Sequence, residues 1–165
     1  LPLVAEDLGI ITPDVTALRH RFGLPGMAVL QFAFDRHADN PHKPDNVHPD
    51  TVYYTGTHDN DTTLGWWRTL PDDARGAVLA QLGVASPDAV PEAMIDTVLG
   101  SAASLAILPL QDALGLGSAA RMNPPGTPDG NWTWRVAWRE VPADLACRML
   151  EKLQNTNRCE TRVHP

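Results

Sequence analysis

The sequence predicts an α/β chain with a parallel sheet and helical crossovers, and three observations carry that reading. Apolar runs at residues 1–8, 27–34, 51–55 and 106–110 have the length and composition of buried strands. Segments with helical apolar spacing and helix-start signals alternate with most of them. Polar residues gather at the C-terminal end of each run: Glu6 and Asp7, Asp35, His58 and Asp59, Gln111 and Asp112. A (β/α)8 barrel collects its site at that end, and an open α/β sheet does the same.

The elements follow in order. Residues 1–8 read as a strand ending in acids. Thr12-Pro13-Asp14 is a helix start, with a cap residue, proline at the first position and an acid in the first turn. Val15, Leu18 and Phe22 make its apolar stripe, and Gly23 ends it. Residues 27–34 (MAVLQFAF) follow as a strand, then a proline-rich loop over 35–50 and a strand over 51–55. Thr62 or Thr63 caps a helix that includes Trp66 and Trp67. A helix over 72–82 stops at Gly83, and Ser86-Pro87-Asp88 starts another with the stripe Ile95, Val98, Leu99, Ala102 and Ala106. Residues 106–110 form a short strand and 114–130 a glycine- and proline-rich loop. Trp132, Trp134, Val136 and Trp138 alternate at period two, as strand or extended loop. Residues 143–153 form a last amphipathic helix. The expected division is one unit over 1–154 and an irregular tail over 155–165. The opening on a strand-like run without Met leads to the expectation that the chain is part of a longer protein.

Composition narrows the function. The 165 residues are 43% hydrophobic and 20% charged, enough for one domain with a core. The net charge of -7 disfavours a phosphate backbone as partner, so no nucleic acid is expected. No apolar run approaches the roughly 20 residues that span a bilayer, and the N-terminus lacks a signal-peptide pattern. Two cysteines, Cys147 and Cys159, are too few for a disulfide scaffold. A cytoplasmic location is the expectation.

The chemistry lies in the carboxylates. Glu6, Asp7, Asp35, Asp59, Asp61 and Asp112 would meet on one rim. Paired carboxylates cleave glycosidic bonds, one protonating the leaving oxygen and another attacking or stabilising positive charge on the ring. His58, Asn60 and Gln111 are hydrogen-bonding partners for hydroxyls, and Trp66, Trp67, Trp132 and Trp134 offer faces for sugar rings. Taken singly, each acid is more often a helix cap or turn former, and each tryptophan is more often core. A metal phosphohydrolase built on His58-Asp59 lacks the further histidine spacing it needs, and no serine lies in a nucleophile-elbow pattern. No metal and no cofactor are expected.

Seven segments then occur together and in order: AEDLG (Ala5–Gly9), FGLPGM (Phe22–Met27), LQFAFD (Leu30–Asp35), YTGTHDNDTTLGWW (Tyr54–Trp67), PLQDALGLG (Pro109–Gly117), RMNPPGT (Arg121–Thr127) and GNWTWR (Gly130–Arg135). Over residues 1–153 the chain resembles the C-terminal part of the 4-alpha-glucanotransferases, the amylomaltase or disproportionating-enzyme family. The resemblance implies the C-terminal half of a (β/α)8 barrel, about strands 5–8. It implies retaining transfer of a 1,4-alpha-glucan segment to the 4-hydroxyl of glucose or another glucan. Glu6 matches the acid/base and Asp59 the third catalytic carboxylate, while His58, Asp35, Asn123 and Asn60 match substrate contacts. Desolvation at the end of the run LVA would suit Glu6 to its role. The family's nucleophilic Asp has no counterpart here, so the chain alone is expected to be inactive. The expected partners are alpha-1,4-glucans, glucose and the missing N-terminal half of the same barrel. The alternative reading is a non-catalytic alpha-glucan-binding module that uses its tryptophans.

Overall fold

The computed structural model describes residues 3–159. It is an α/β fold on a three-stranded parallel sheet in the order β1-β2-β3. The strands are β1 (Gly26–Val29), β2 (Thr51–Tyr54) and β3 (Leu105–Ile107). Met27 faces Val52 across β1–β2, and Val52 faces Leu105 across β2–β3. Helix α1 (Pro13–Arg21) precedes β1. Helices α2 (Thr63–Thr69), α3 (Asp72–Leu82) and α4 (Val90–Gly100) form the crossover from β2 to β3. Helices α5 (Leu110–Ala113) and α6 (Leu145–Asn155) follow.

Helix α4 supplies most of the helical core. Val90, Met94, Ile95, Val98 and Leu99 are buried along one face. Of these, Val90, Met94 and Val98 join one core cluster with Leu30, Tyr53, Trp67 and Val78. Each such side chain is worth roughly 1.5–3 kcal/mol when fully buried, an upper figure against an extended unfolded chain. Local signals fix several ends. Thr62 caps α2 by accepting the Gly65 N–H at 3.1 Å. Helix α3 has the expected bounds and ends at Gly83, whose φ of 66° is left-handed. Ser86 Oγ accepts the Asp88 N–H at 3.3 Å and starts a 3-10 turn that leads into α4. Thr12 sits at the N-cap of α1 but makes no side-chain cap bond. The α1 stripe is not covered among the described residues: Val15, Leu18 and Phe22 are exposed, Phe22 at 66%.

Several sequence expectations are corrected. Of the expected first strand, residues 1 and 2 lie outside the described residues, and residues 3–8 run as coil beside β1. One backbone bond joins them, from Ala5 N–H to Pro25 O at 2.8 Å. Beyond it the N–H groups of β1 that point away from β2 go to side chains. Met27 N–H donates to Asp7 Oδ1 at 2.7 Å, and Val29 N–H donates to His42 Nδ1 at 3.1 Å. The Asp7 carboxylate therefore occupies the place of a strand carbonyl, and ladder pairing stops there. Gly26 makes room for it, because a Cβ at Gly26 would strike Asp7 Oδ2.

The expected 27–34 strand closes at Val29, and Leu30–Phe32 turn as a 3-10 helix. Gln31 there is used sideways: its N–H donates to Thr55 O and its Nε2 to Asp61 O at 2.9 Å. The last strand is Leu105–Ile107 rather than 106–110, because Pro109 is the N-cap of α5. Of the two expectations for the segment from Trp132, strand or extended loop, the loop holds through Ala137, with a positive φ of 61° at Trp132, and Trp138–Glu140 turn as a 3-10 helix. Helix α6 begins at Leu145 and ends at Asn155, and residues 160–165 of the expected tail lie outside the described residues.

Candidate active site

The C-terminal ends of β2 and β3, together with the 6–8 segment, border a cleft of about 820 Å³. Glu6, Tyr54, His58, Asp59, Asn60, Gln111 and Arg121 are among its lining residues. Asp59 reaches it because the chain leaves β2 through a tight, self-bonded turn. Asn60 Oδ1 accepts the Thr57 N–H at 2.9 Å and the Thr57 hydroxyl at 2.8 Å. Asn60 thus lines the cleft while also building the turn that presents its neighbours.

A second loop fixes Asp59 from across the chain. Asn123 Nδ2 donates to Asp59 Oδ1 at 2.5 Å, and Arg121 Nη2 donates to the Asp59 carbonyl at 2.5 Å. His58 Nε2 lies 3.3 Å from the same Oδ1, with side-chain exposures of 58% for His58 and 47% for Asp59. The Asp59 carboxylate is thus oriented but still open to a ligand. Ser118 Oγ donates to Asp61 Oδ2 at 2.6 Å and ties the two loops together below. Gly65 permits that approach, because a Cβ there would lie 2.5 Å from Asp61 Oδ1.

The proposed rim divides by role. Glu6 and Asp59 open onto one cleft. Glu6 is exposed, not desolvated as the sequence led us to expect, and its Oε1 accepts the Leu8 N–H at 2.7 Å. The preceding apolar residues Leu3 and Val4 are themselves exposed, so they do not shield it. Asp7 turns away to Met27 and to Arg19, whose Nε is 3.3 Å from Asp7 Oδ2. Asp35 is outside the cleft lining; it is exposed, with Lys43 Nζ at 3.7 Å. Asp112 is 4% exposed and lies beneath the cleft. It accepts the Thr55 hydroxyl at 2.5 Å, the Thr63 N–H at 2.7 Å and the Thr63 hydroxyl at 2.9 Å. Burial raises its carboxyl above the ordinary carboxylate value; the Thr55 and Thr63 hydrogen bonds oppose this and the Asp61 charge adds to it.

Arg121 was not singled out from the sequence, although its place two residues before Asn123 in RMN was the available signal. Together these groups suit an uncharged, hydroxyl-rich ligand that develops positive charge, because carboxylates line the cleft with Arg121 the one cation among the lining residues. No helix among the described residues is long and apolar enough to cross a membrane.

Residues 1–140 match the family model described as 4-alpha-glucanotransferase. The chain is 49% identical over 165 residues to the 4-alpha-glucanotransferase of Thermus thermophilus, covering 96% of this chain and 33% of that protein. It is 52% identical over 136 residues to the chloroplastic/amyloplastic 4-alpha-glucanotransferase of Arabidopsis thaliana, covering 82% of this chain and 24% of that protein. The structure superposes on Streptococcus agalactiae amylomaltase, solved in complex with acarbose, with a TM-score of 0.92 at 28% identity, covering 97% of this chain and 32% of that one. Amylomaltase from Corynebacterium glutamicum shares the fold, with a TM-score of 0.64 at 18% identity over 95% of this chain and 29% of that one. The chain spans a third or less of the length of these relatives.

Proposed function

Because the chain belongs to the 4-alpha-glucanotransferase family, we propose that it forms the C-terminal half, about strands 5–8, of a (β/α)8 barrel that transfers 1,4-alpha-glucan segments. The acceptor is the 4-hydroxyl of glucose or another glucan. The observation that carries this reading is the shared cleft of Glu6 and Asp59.

The residues divide the work as follows. Glu6 protonates the departing glycosidic oxygen, then takes the proton of the acceptor hydroxyl, so one carboxyl serves both halves of a retaining reaction. Its Oε1 is already oriented by Leu8 N–H. Asp59, held by Asn123, binds ring hydroxyls and stabilises the cation-like sugar. His58 donates to the same ring, and Asn60, Asn123 and Asp35 serve substrate binding, Asn123 and Asp35 from outside the present cleft lining. The covalent step needs a nucleophilic carboxylate, and these 165 residues hold no Arg-x-Asp run of the kind the family places there. We therefore assign the nucleophile to the missing N-terminal half of the barrel, which is also the partner that would cover the exposed stripe of α1. Free Cys147 and Cys159 suit a reducing compartment such as the cytoplasm.

The test is glucose release from maltotriose. The full-length protein turns over, Glu6→Gln abolishes transfer while leaving maltooligosaccharide binding intact, and the 165-residue chain alone stays at background. Turnover by the isolated chain, or by Glu6→Gln, would sink the assignment.

A further inference from the structure

Trp132 is not itself a lining residue of the cleft, but its indole lies against His58, which is one. The rings of His58 and Trp132 are 5.2 Å apart with their planes at 35°. Trp132 is 50% exposed, so part of its surface beside His58 remains open to solvent. Its backbone has a φ of 61°, a left-handed conformation in which a bulky residue is strained. The strain is held by the Trp132 N–H, which donates at 2.8 Å to the carbonyl of Met122, itself a lining residue.

The sequence has five tryptophans, and the other four lie elsewhere. Trp67 is buried in the core with the Arg75 guanidinium 5.7 Å from its ring. Trp66 packs on Phe34 at 5.4 Å. Trp134 lines a separate cavity with Leu114 and Leu116. Trp138 is 91% exposed on its own turn. Among the described aromatic pairs, Trp132 is the tryptophan whose ring meets a cleft-lining side chain, His58.

We propose that Trp132 and His58 form a stacking subsite for a second glucosyl ring, next to the one held at Asp59. The ligand is a neutral pyranose whose C–H face lies on the exposed part of the indole. His58 sits between the two rings, 3.3 Å from Asp59 on one side and packed on Trp132 on the other. Occupancy of the indole would thereby set the angle at which the neighbouring sugar meets Asp59. This inference deepens the glucan reading and rests on it.

The variant Trp132→Gly removes the ring and leaves a residue that adopts φ of 61° without strain. Maltoheptaose is titrated into the full-length protein and its variants, followed by calorimetry and by tryptophan emission. Parent protein binds with a change in emission. Trp132→Gly weakens binding about tenfold, the loss of one ring-stacking contact, while its melting temperature does not fall. Trp132→Phe keeps most of the affinity and loses the emission change. Equal affinity of parent and Trp132→Gly overturns the subsite alone. A fall in affinity matched by a fall in melting temperature also overturns it, since the ring would then be structural. No binding by the parent overturns the glucan reading and the subsite with it.

Discussion

Asn123 Nδ2 donates to Asp59 Oδ1 at 2.5 Å, although 64 positions separate the two residues. The bond joins the 121–127 loop to the turn after β2 and leaves the rest of the Asp59 carboxylate for a ligand. Asn123→Ala removes a hydrogen bond to a charged group, worth about 1.5–3 kcal/mol. In the full-length protein kcat/KM for maltotriose is expected to fall roughly tenfold to a hundredfold. An unchanged kcat/KM would mean that Asn123 does not orient Asp59.

Asp112 gives a second prediction. Asp112→Ala strands three buried donors, from Thr55 and Thr63, and is expected to destabilise the chain by roughly 3 kcal/mol or more. Asp112→Asn keeps an acceptor and costs less. Burial raises the carboxyl above its ordinary 3.8. A raised acid contributes stability that is fully present below 3.8 and lost as pH rises through the folded value. Urea midpoints across acidic pH should therefore show parent gaining on Asp112→Asn as pH falls. The opposite slope would refute the burial argument.

His42 gives the reverse sign. Its Nδ1 accepts the Val29 N–H, its carbonyl accepts the Tyr53 hydroxyl at 2.7 Å, and its ring meets Phe32 at 5.4 Å. Burial lowers its pKa below the ordinary 6.5, with Asp7 and Asp35 pulling it back up. A depressed base contributes stability that is present above 6.5 and lost as pH falls through the folded value, because a protonated Nδ1 cannot accept. His42→Gln supplies an oxygen acceptor that does not titrate. Thermal melts should show the parent losing ground to His42→Gln on acidification, and parallel curves would exclude the mechanism.

Arg158 gives a fourth. Its guanidinium donates to the carbonyls of Leu99, Ser101 and Ala103, where α4 ends. Those carbonyls have no helical partners of their own. Arg158→Ala is expected to destabilise by about 1–3 kcal/mol, and hydrogen exchange should quicken first at the end of α4. Uniform exchange rates with unchanged stability would show the contact to be idle.

Much of this was legible where the signal is local. The Thr62 cap, the 72–82 helix with its Gly83 stop, and the Ser86 start depend on residues within a few positions of each other. The shared cleft of Glu6 and Asp59 followed from the family motifs and, for Asp59, from its place shortly after β2. What failed depended on distant partners. Asp112 reads as a rim acid until Thr55 and Thr63, 57 and 49 positions away, are seen to close over it. The 1–8 run reads as a strand because nothing in it shows that Asp7 will take the Met27 N–H, 20 positions on. Glu6 reads as shielded because composition does not reveal that Leu3 and Val4 face outward.

The side-chain caps on Met27 and Val29 give the sheet a direction of accretion. An incoming β-segment meets no spare donors at these two residues of β1, whereas β3, the opposite outer strand, carries exposed Leu105 and Ile107. Misassembly of the isolated polypeptide should therefore seed on the β3 flank, and a charged residue at exposed Leu105, which is not among the lining residues of the Glu6–Asp59 cleft, would blunt it there.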